Sequence, residues 1–326
     1  MVTRGSDRAQ LLLVGAIGVA FIIVGMAVVV NSMVLSGVGE SSEAVTAGGD
    51  VERLNHEVRR DTRSLVIHTN HYEVYEDASG LNASLRSNVT EYSRLLGSTY
   101  ARSGGAFVDV SFVGRNRTGT RIVQSTDAAF TGTGGQTDHT LLGPTPPNTV
   151  GVSSPGPLGW FVMNVNASET SDRTKGWFTV VVVGDDGERL ELSMNQNATG
   201  EGVSSALDVE SDVSTTPGAD GNVTCISTGD RVLIDVVAGR CVNDPTKRFR
   251  TVDSLASPYR VRFANGSDAV GKYALVTNRT TTPNCASGDA PCRAPAAWSV
   301  DVSVTYRTEQ VAYRNVQPVT VYNESG

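Results

Sequence analysis

Residues 176–194 read GWFTVVVVGDDGERLELSM: two β-branched or alternating runs, FTVVVV and RLELSM, on either side of Asp185, Asp186 and Gly187. Four consecutive valines resist a helix, because the two heavy atoms on each Cβ restrict χ1 against the preceding turn and suit a pleated surface instead. An Asp-Gly pair between two such runs predicts a hairpin with a primed turn. The same signature recurs on both sides. AFVDVSFV, RIVQS, WFVMNV, RVLIDVV, YRVRFA, KYALVT, WSVDVSVTYR and VTVY are short, alternating or β-branched, and separated by Gly, Pro, Asn and Asp. Together they predict about ten strands after residue 104 with no helix between them. One Gly/Pro/Thr-rich stretch, residues 131–159, reads as a long surface loop.

Upstream of residue 104 the period changes. Val51, Leu54, Val58, Leu65, Tyr72 and Tyr75 recur at helical spacing, four of them seven residues apart. Asp61 and His68 at the alternate heptad positions break a coiled-coil seam, so the stripe is expected to pack on a folded domain. Ala78, Ser79 and Gly80 interrupt the pattern, and Asn82 is expected to cap a second helix carrying Leu85, Val89, Tyr92 and Leu96. Gly104 and Gly105 end it. Residues 36–50, SGVGESSEAVTAGGD, form a small, polar neck before the first helix.

Residues 11–30, LLLVGAIGVAFIIVGMAVVV, hold no charge. A helix of that length covers about 30 Å, the thickness of a bilayer's hydrocarbon core. Arg4 and Arg8 precede it, and the positive-inside rule assigns that side to the cytoplasm and the remainder of the chain to the outside. A removed secretory signal fits less well, since its apolar region usually runs about 7 to 15 residues before a small-residue cleavage site. Here the candidate site, Val45-Thr46-Ala47, falls late. A cysteine-linked lipid is excluded, the first cysteine being Cys225.

The chain has 326 residues and a net charge of −7, with 34 acidic against 27 basic side chains. That balance argues against nucleic acid as a partner, which needs a basic footprint. Nine N-x-[ST] acceptor sites occur, at Asn82, Asn88, Asn116, Asn166, Asn197, Asn222, Asn265, Asn278 and Asn323. Chance would supply about three or four, so these are candidate N-glycosylation sites on an outward-facing protein. The four cysteines agree with an oxidising location, and the expected pairs are Cys225 with Cys241, bracketing a hairpin, and Cys285 with Cys292, closing a Gly/Pro/Asp loop. Zinc is the weaker alternative, for there is no C-x-x-C and no histidine after Cys225.

Little in the sequence points to catalysis. His68, His71 and Glu73 have a spacing that could hold a metal, but on an amphipathic helix they read as surface polar residues, and His56 and His139 have no visible partners. No G-x-S-x-G elbow is present, and the Gly-rich run TGTGGQ lacks the lysine and the strand-to-helix context of a phosphate loop. Asp185 and Asp186 sit where turn chemistry already explains them. No catalytic residue, metal ligand or cofactor is therefore expected.

The leader RGSDRA, residues 4–9, is followed by Gln10 and then at once by the apolar run. This order resembles the class III signal peptide of archaeal type IV pilins and archaellins, in particular haloarchaeal secreted pilin-like proteins. The resemblance implies cleavage between Ala9 and Gln10 by a prepilin peptidase, and an apolar helix that serves first as anchor and then as the packing surface between subunits. It implies membrane lipid and other pilin-like subunits as partners. It covers about the first 35 residues specifically. Val14 stands at the fifth mature position, where bacterial pilins carry glutamate, and the length and polar neck point to a minor or pilin-like component rather than a major subunit.

The expected fold class is therefore α+β: an N-terminal transmembrane helix with an amphipathic helical extension, followed by an antiparallel, sandwich-like, β-rich extracellular domain. The expected boundaries are a cytoplasmic leader at 1–9, a transmembrane or assembly helix at 10–35, neck and amphipathic helices at 36–103, and the β-rich domain at 104–326. The expected function is a non-enzymatic cell-surface protein, a pilin-like subunit of a type IV pilus-like assembly. The alternative is a monomeric, single-pass membrane-anchored ectodomain acting as a binding or adhesion module.

Overall fold

The computed structural model describes residues 43–144, 149–197, 206–213, 221–287 and 291–322. The chain divides into two units, Met1–Asp50 and Val51–Gly326. Helix α1 (Glu43–Tyr72) and helix α2 (Ala78–Gly104) come first. Fourteen described strands follow: β1 (Phe107–Ala129), β2 (His139–Leu142), β3 (Thr149–Val152), β4 (Leu158–Asn166), β5 (Phe178–Val183), β6 (Arg189–Asn197), β7 (Ala206–Val213), β8 (Val223–Ile226), β9 (Arg231–Asp235), β10 (Arg240–Cys241), β11 (Arg260–Ala264), β12 (Val270–Thr277), β13 (Cys292–Arg307) and β14 (Ala312–Thr320).

The strands form two seven-stranded sheets. The first has the order β10-β9-β4-β12-β1-β13-β14 and the second β3-β2-β11-β5-β6-β7-β8. All neighbours are antiparallel except β2 and β3. One apolar core draws on both sheets, with Phe130, Phe161, Phe178, Phe263 and Tyr273 at its centre. Phe263 is the hub: its ring centroid lies 5.1 Å from Phe178, 5.0 Å from Tyr273 and 5.8 Å from Phe130, at tilted or edge-on angles that suit the ring quadrupoles.

The helices form an antiparallel hairpin. Asn88 Nδ2 donates to Thr69 Oγ1 (3.2 Å), Tyr92 OH to Asp61 Oδ2 (3.4 Å) and Tyr100 OH to Glu57 Oε2 (3.1 Å). Leu54, Val58, Thr62 and Val66 are fully buried on α1, and Leu81, Leu85, Val89, Leu96 and Tyr100 are buried on α2. The hairpin lies against the first sheet. Residues 107–119 of β1 pair with β13 but not with β12, and α2 meets that otherwise open edge. There Ser93 Oγ accepts from the Val110 amide (2.7 Å). Gly97 allows this approach, since a Cβ there would stand 2.9 Å from the Val108 carbonyl oxygen.

Several expectations are corrected by this arrangement. The class is not α+β with an N-terminal transmembrane helix: the described chain is mostly β, with two helices, and no helix among the described residues is long and apolar enough to cross a membrane. The reason is amphipathicity, because α1 and α2 bury one stripe each and carry charges elsewhere. Residues 11–30, on which the single-pass cell-membrane localisation with a cytoplasmic N-terminus rested, lie outside the described residues, and that localisation is withdrawn. The leader site at Ala9 and Gln10 also lies outside them.

Smaller corrections concern local chemistry. Asn82 does not cap α2; Asp77 does, its Oδ1 accepting from the amides of Ser79 (2.9 Å) and Gly80 (2.8 Å). Ala78, Ser79 and Gly80 are thus the first turn rather than a break. The 185–187 turn is not a primed one. Gly187 alone has positive φ (84°), and Gly187 N donates to Gly184 O (3.2 Å), the pattern of a type I turn closed by a left-handed glycine. AFVDVSFV and RIVQS belong to the single strand β1, whose pairing with β13 runs on through register shifts near residues 112–118 that make the ladder locally irregular. The expected 131–159 loop contains β2 and β3, and the last strand occupies Ala312–Thr320 rather than VTVY.

Candidate functional site

A cluster of buried polar side chains lies where the C-terminal end of α1 reaches the first sheet. Beyond its ladder with β14, which ends at Ser299, strand β13 has a buried edge at Ala297 that β14 does not pair, and the side chain of Asn70 takes the place of a further strand there. Asn70 Nδ2 donates to the Ala297 carbonyl (2.7 Å), and its Oδ1 accepts from the Ala297 amide (3.0 Å). The same Nδ2 reaches Tyr322 OH at 3.2 Å. Asn70 is 2 % exposed, so each bond satisfies a group that water cannot reach.

His71 completes the junction. Its ring stacks on Trp160 with centroids 3.7 Å apart and planes 9° apart, and Nε2 lies 3.0 Å from Tyr322 OH. Burial, with smaller contributions from Arg121 and His68, pushes its pKa down to about 4, so the ring is neutral at pH 7. Arg121, on β1 and 6 % exposed, donates Nη1 to the carbonyl of Glu73 (2.6 Å), one residue past the end of α1. That carbonyl is one of the groups a helix end leaves without an internal partner, and a guanidinium satisfies it while opposing the negative end of the dipole. Burial lowers the Arg121 pKa to about 10, which leaves it charged at pH 7. Chemically this is a fastening. It joins helix, β1, β4, β13 and the segment after β14 through neutral or singly charged groups.

His68 packs against Tyr72 with its ring tilted (centroids 4.7 Å apart) and is not brought into the His71 junction as a second ligand. Among the described residues no three His, Cys, Asp or Glu side chains cluster at metal-binding distance. His139 is buried on β2 with its ring edge-on to Phe263 (5.3 Å), and burial lowers its pKa to about 4. His56 is exposed on α1.

Both disulfides are present, Cys225–Cys241 and Cys285–Cys292. The first does more than close a hairpin. Cys225 belongs to β8 at one edge of the second sheet, and Cys241 to β10 at one edge of the first, so the bond staples the two sheets together. The second ties the start of β13 to a short 3₁₀ turn and packs with Val123, Ala274 and Trp160 on the outer side of the first sheet.

The glycosylation candidates divide by environment. Asn116, Asn222 and Asn265 are exposed, whereas Asn82, Asn88, Asn197 and Asn278 are half-buried. Asn166 is 7 % exposed, and its Nδ2 donates to Glu169 Oε1 (2.7 Å) while its Oδ1 caps the following 3₁₀ turn. Asn323 lies outside the described residues. Asn70, Arg121 and Tyr322 were not singled out by the sequence. Asn70 sits in the polar stretch HTNHY and Tyr322 at the end of VTVY, where nothing local marks them, and the one faint signal was Arg121 standing directly before the apolar Ile122 and Val123.

Compared with known proteins, the chain matches no family model, no curated protein and no solved structure.

Proposed function

We propose that the chain is a non-enzymatic cell-surface structural protein, a pilin-like subunit of a type IV pilus-like assembly. The observation that carries this reading is how the buried polar groups are used. Asn70, His71, Arg121 and Tyr322 bond to one another or to backbone at the helix–sheet junction, and the Cys225–Cys241 bond joins the two sheets. Arg121 Nε is left without a partner, but the bonds made by Asn70, His71, Tyr322 and Arg121 Nη1 tie helix and sheet together, and buried polar bonds of this kind rigidify a body and fix its geometry. A rigid head behind a helical hairpin is what a subunit that must repeat in register needs. The order of the sequence supports it too: the charged leader RGSDRA, then Gln10, then an uncharged run over 11–30 that copies of the chain could share. The partners on this reading are other pilin-like subunits and a prepilin peptidase.

The test is the mature N-terminus, read by mass spectrometry of the protein recovered from its native host. A chain that begins at Gln10 supports the proposal. One that retains Met1 or Val2 overturns it, and a start just after Ala47 would place the protein with ordinarily secreted ones.

A further inference from the structure

Strand β14 ends its sheet, bonded to β13 alone among the described strands. Its other edge therefore offers backbone groups to a further extended chain. Beside that edge runs one face of α1. Asn55 Nδ2 donates to Tyr313 OH (2.9 Å), Arg59 Nε to Gln317 Oε1 (2.8 Å) and Arg63 Nε to the Val321 carbonyl (2.8 Å), so residues four apart on the helix are pinned to positions four apart on the strand side. Each of the two arginines is held through its inner nitrogen. Both are exposed, as are Arg60 and His56 next to them. Arg60 is engaged through its own Nε, by Asp61 at 3.0 Å.

Between helix and strand lies a groove of ≈ 400 Å³, with Arg59, Arg60 and Arg63 along one wall and Pro318 and Thr320 along the other. No carboxylate lines it, although acidic residues outnumber basic ones in the chain by 34 to 27. Arg60 is offset by its pairing with Asp61, whereas Arg59 and Arg63 are held by a neutral amide and a backbone carbonyl, so the groove keeps a net positive lining in an acidic protein.

We propose that the groove binds an extended acidic peptide segment of a partner protein. Two spacings decide for a strand-like ligand. Residues four apart on a helix are about 6 Å apart along its axis. Alternate residues of an extended chain, which share one face, repeat every 6.5 to 7 Å or about that. Carboxylates at alternate positions of the ligand thus fall in step with Arg59 and Arg63, and Arg60 stands between them. A guanidinium whose Nε is already bonded still presents its terminal nitrogens, and charge-assisted bonds from these to a carboxylate are the strong kind. Pro318 withholds one amide from the β14 edge, so selectivity resides in the ligand's charges more than in its backbone. The site stands on this geometry alone and is independent of whether the chain assembles.

Fluorescence anisotropy of a labelled octapeptide of alternating Thr and Glu, titrated with the folded full-length chain at low salt, tests the proposal. The alternating peptide is expected to bind about tenfold more tightly than its Thr/Gln counterpart, and binding should weaken as salt is raised. Arg60→Glu is expected to abolish that preference and Arg60→Gln to reduce it severalfold. Arg60→Gln should leave the melting temperature nearly unchanged, since it removes only an exposed ion pair with Asp61, and it is the variant that separates binding from the like-charge repulsion a glutamate would meet there. The proposal is overturned if the Gln peptide binds equally well, if neither variant alters binding, or if inorganic sulfate or an oligothymidylate competes as effectively as the peptide.

Discussion

At the scale of single residues, the two buried histidines give the molecule a direction of pH dependence. His71 and His139 have folded-state pKa values pushed down to about 4, each mainly by burial, from an ordinary 6.5. The groups facing His71 are Arg121 and His68, which also disfavour its charge; Asp138 beside His139 opposes the shift without cancelling it. Both rings are therefore neutral when folded at pH 6, while in the unfolded chain they are largely protonated below 6.5. The unfolded state binds more protons between about pH 6.5 and pH 4, so stability falls as the pH drops through that window and is fully present above it. Each histidine contributes at most about 1.4 kcal/mol per pH unit, and His71, being half-buried, contributes less. Urea unfolding near pH 7 and near pH 5 should show the loss, and His139→Gln should make the dependence shallower. Equal midpoints at the two pH values would show that neither imidazole is held neutral by the fold.

At the scale of elements, the disulfides and the helix hairpin show how much of the fold was legible and where reading stopped. The Cys225–Cys241 staple closes a loop with a sequence separation of 16. Chain-entropy arguments give it about 3 kcal/mol. Replacing both cysteines by Ser should lower the thermal midpoint and leave the far-ultraviolet circular dichroism of the folded state unchanged at low temperature; an unaltered midpoint would mean that the sheets hold together without it. The pairing was readable from spacing, yet the crossing between sheets was not, because β7 is written ALDVESDV. Its acidic residues look like a loop until Leu207, Val209 and Val213 are seen to face inward in alternation with Asp208, Glu210 and Asp212. β2 and β3 were hidden in a Gly/Pro-rich stretch for a related reason. Four residues each are too short for periodicity to show, and only tertiary pairing makes them strands. Asp77 took the cap from Asn82 because a cap needs a residue with extended backbone just ahead of the first turn, and it has φ −145° and ψ 174° there. The helix–sheet junction was illegible altogether. Asn70 and Ala297 are 227 positions apart, and no local pattern links them.

At the scale of the whole molecule, nine acceptor sequons are equivalent as sequence and unequal as structure. A glycan attaches through the Asn Nδ2, so a site must present that atom to solvent and have room around it. Asn222 lies exposed just ahead of β8, and Asn265 lies exposed in a left-handed turn with φ 54°. Asn116 is exposed on β1 with a single bond to Asp301 (3.1 Å), which water can replace at little cost. Asn166 is the opposite case. Its amide is buried, both of its polar atoms are engaged, and modification would open the end of β4. Asn197 is intermediate, half-buried and donating to Asp208 Oδ1 at 2.8 Å. Glycopeptide mass spectrometry of protein from a glycosylating host is expected to find Asn222 occupied most fully, Asn116 and Asn265 occupied, and Asn166 bare. The ordering separates two explanations for the excess of sequons. If occupancy followed exposure, the sites would be a coat on the outer surface of a displayed head. If Asn166 carried a glycan and Asn222 did not, modification would precede folding, and the exposed asparagines would be ordinary turn and strand residues of a Thr- and Ser-rich β protein.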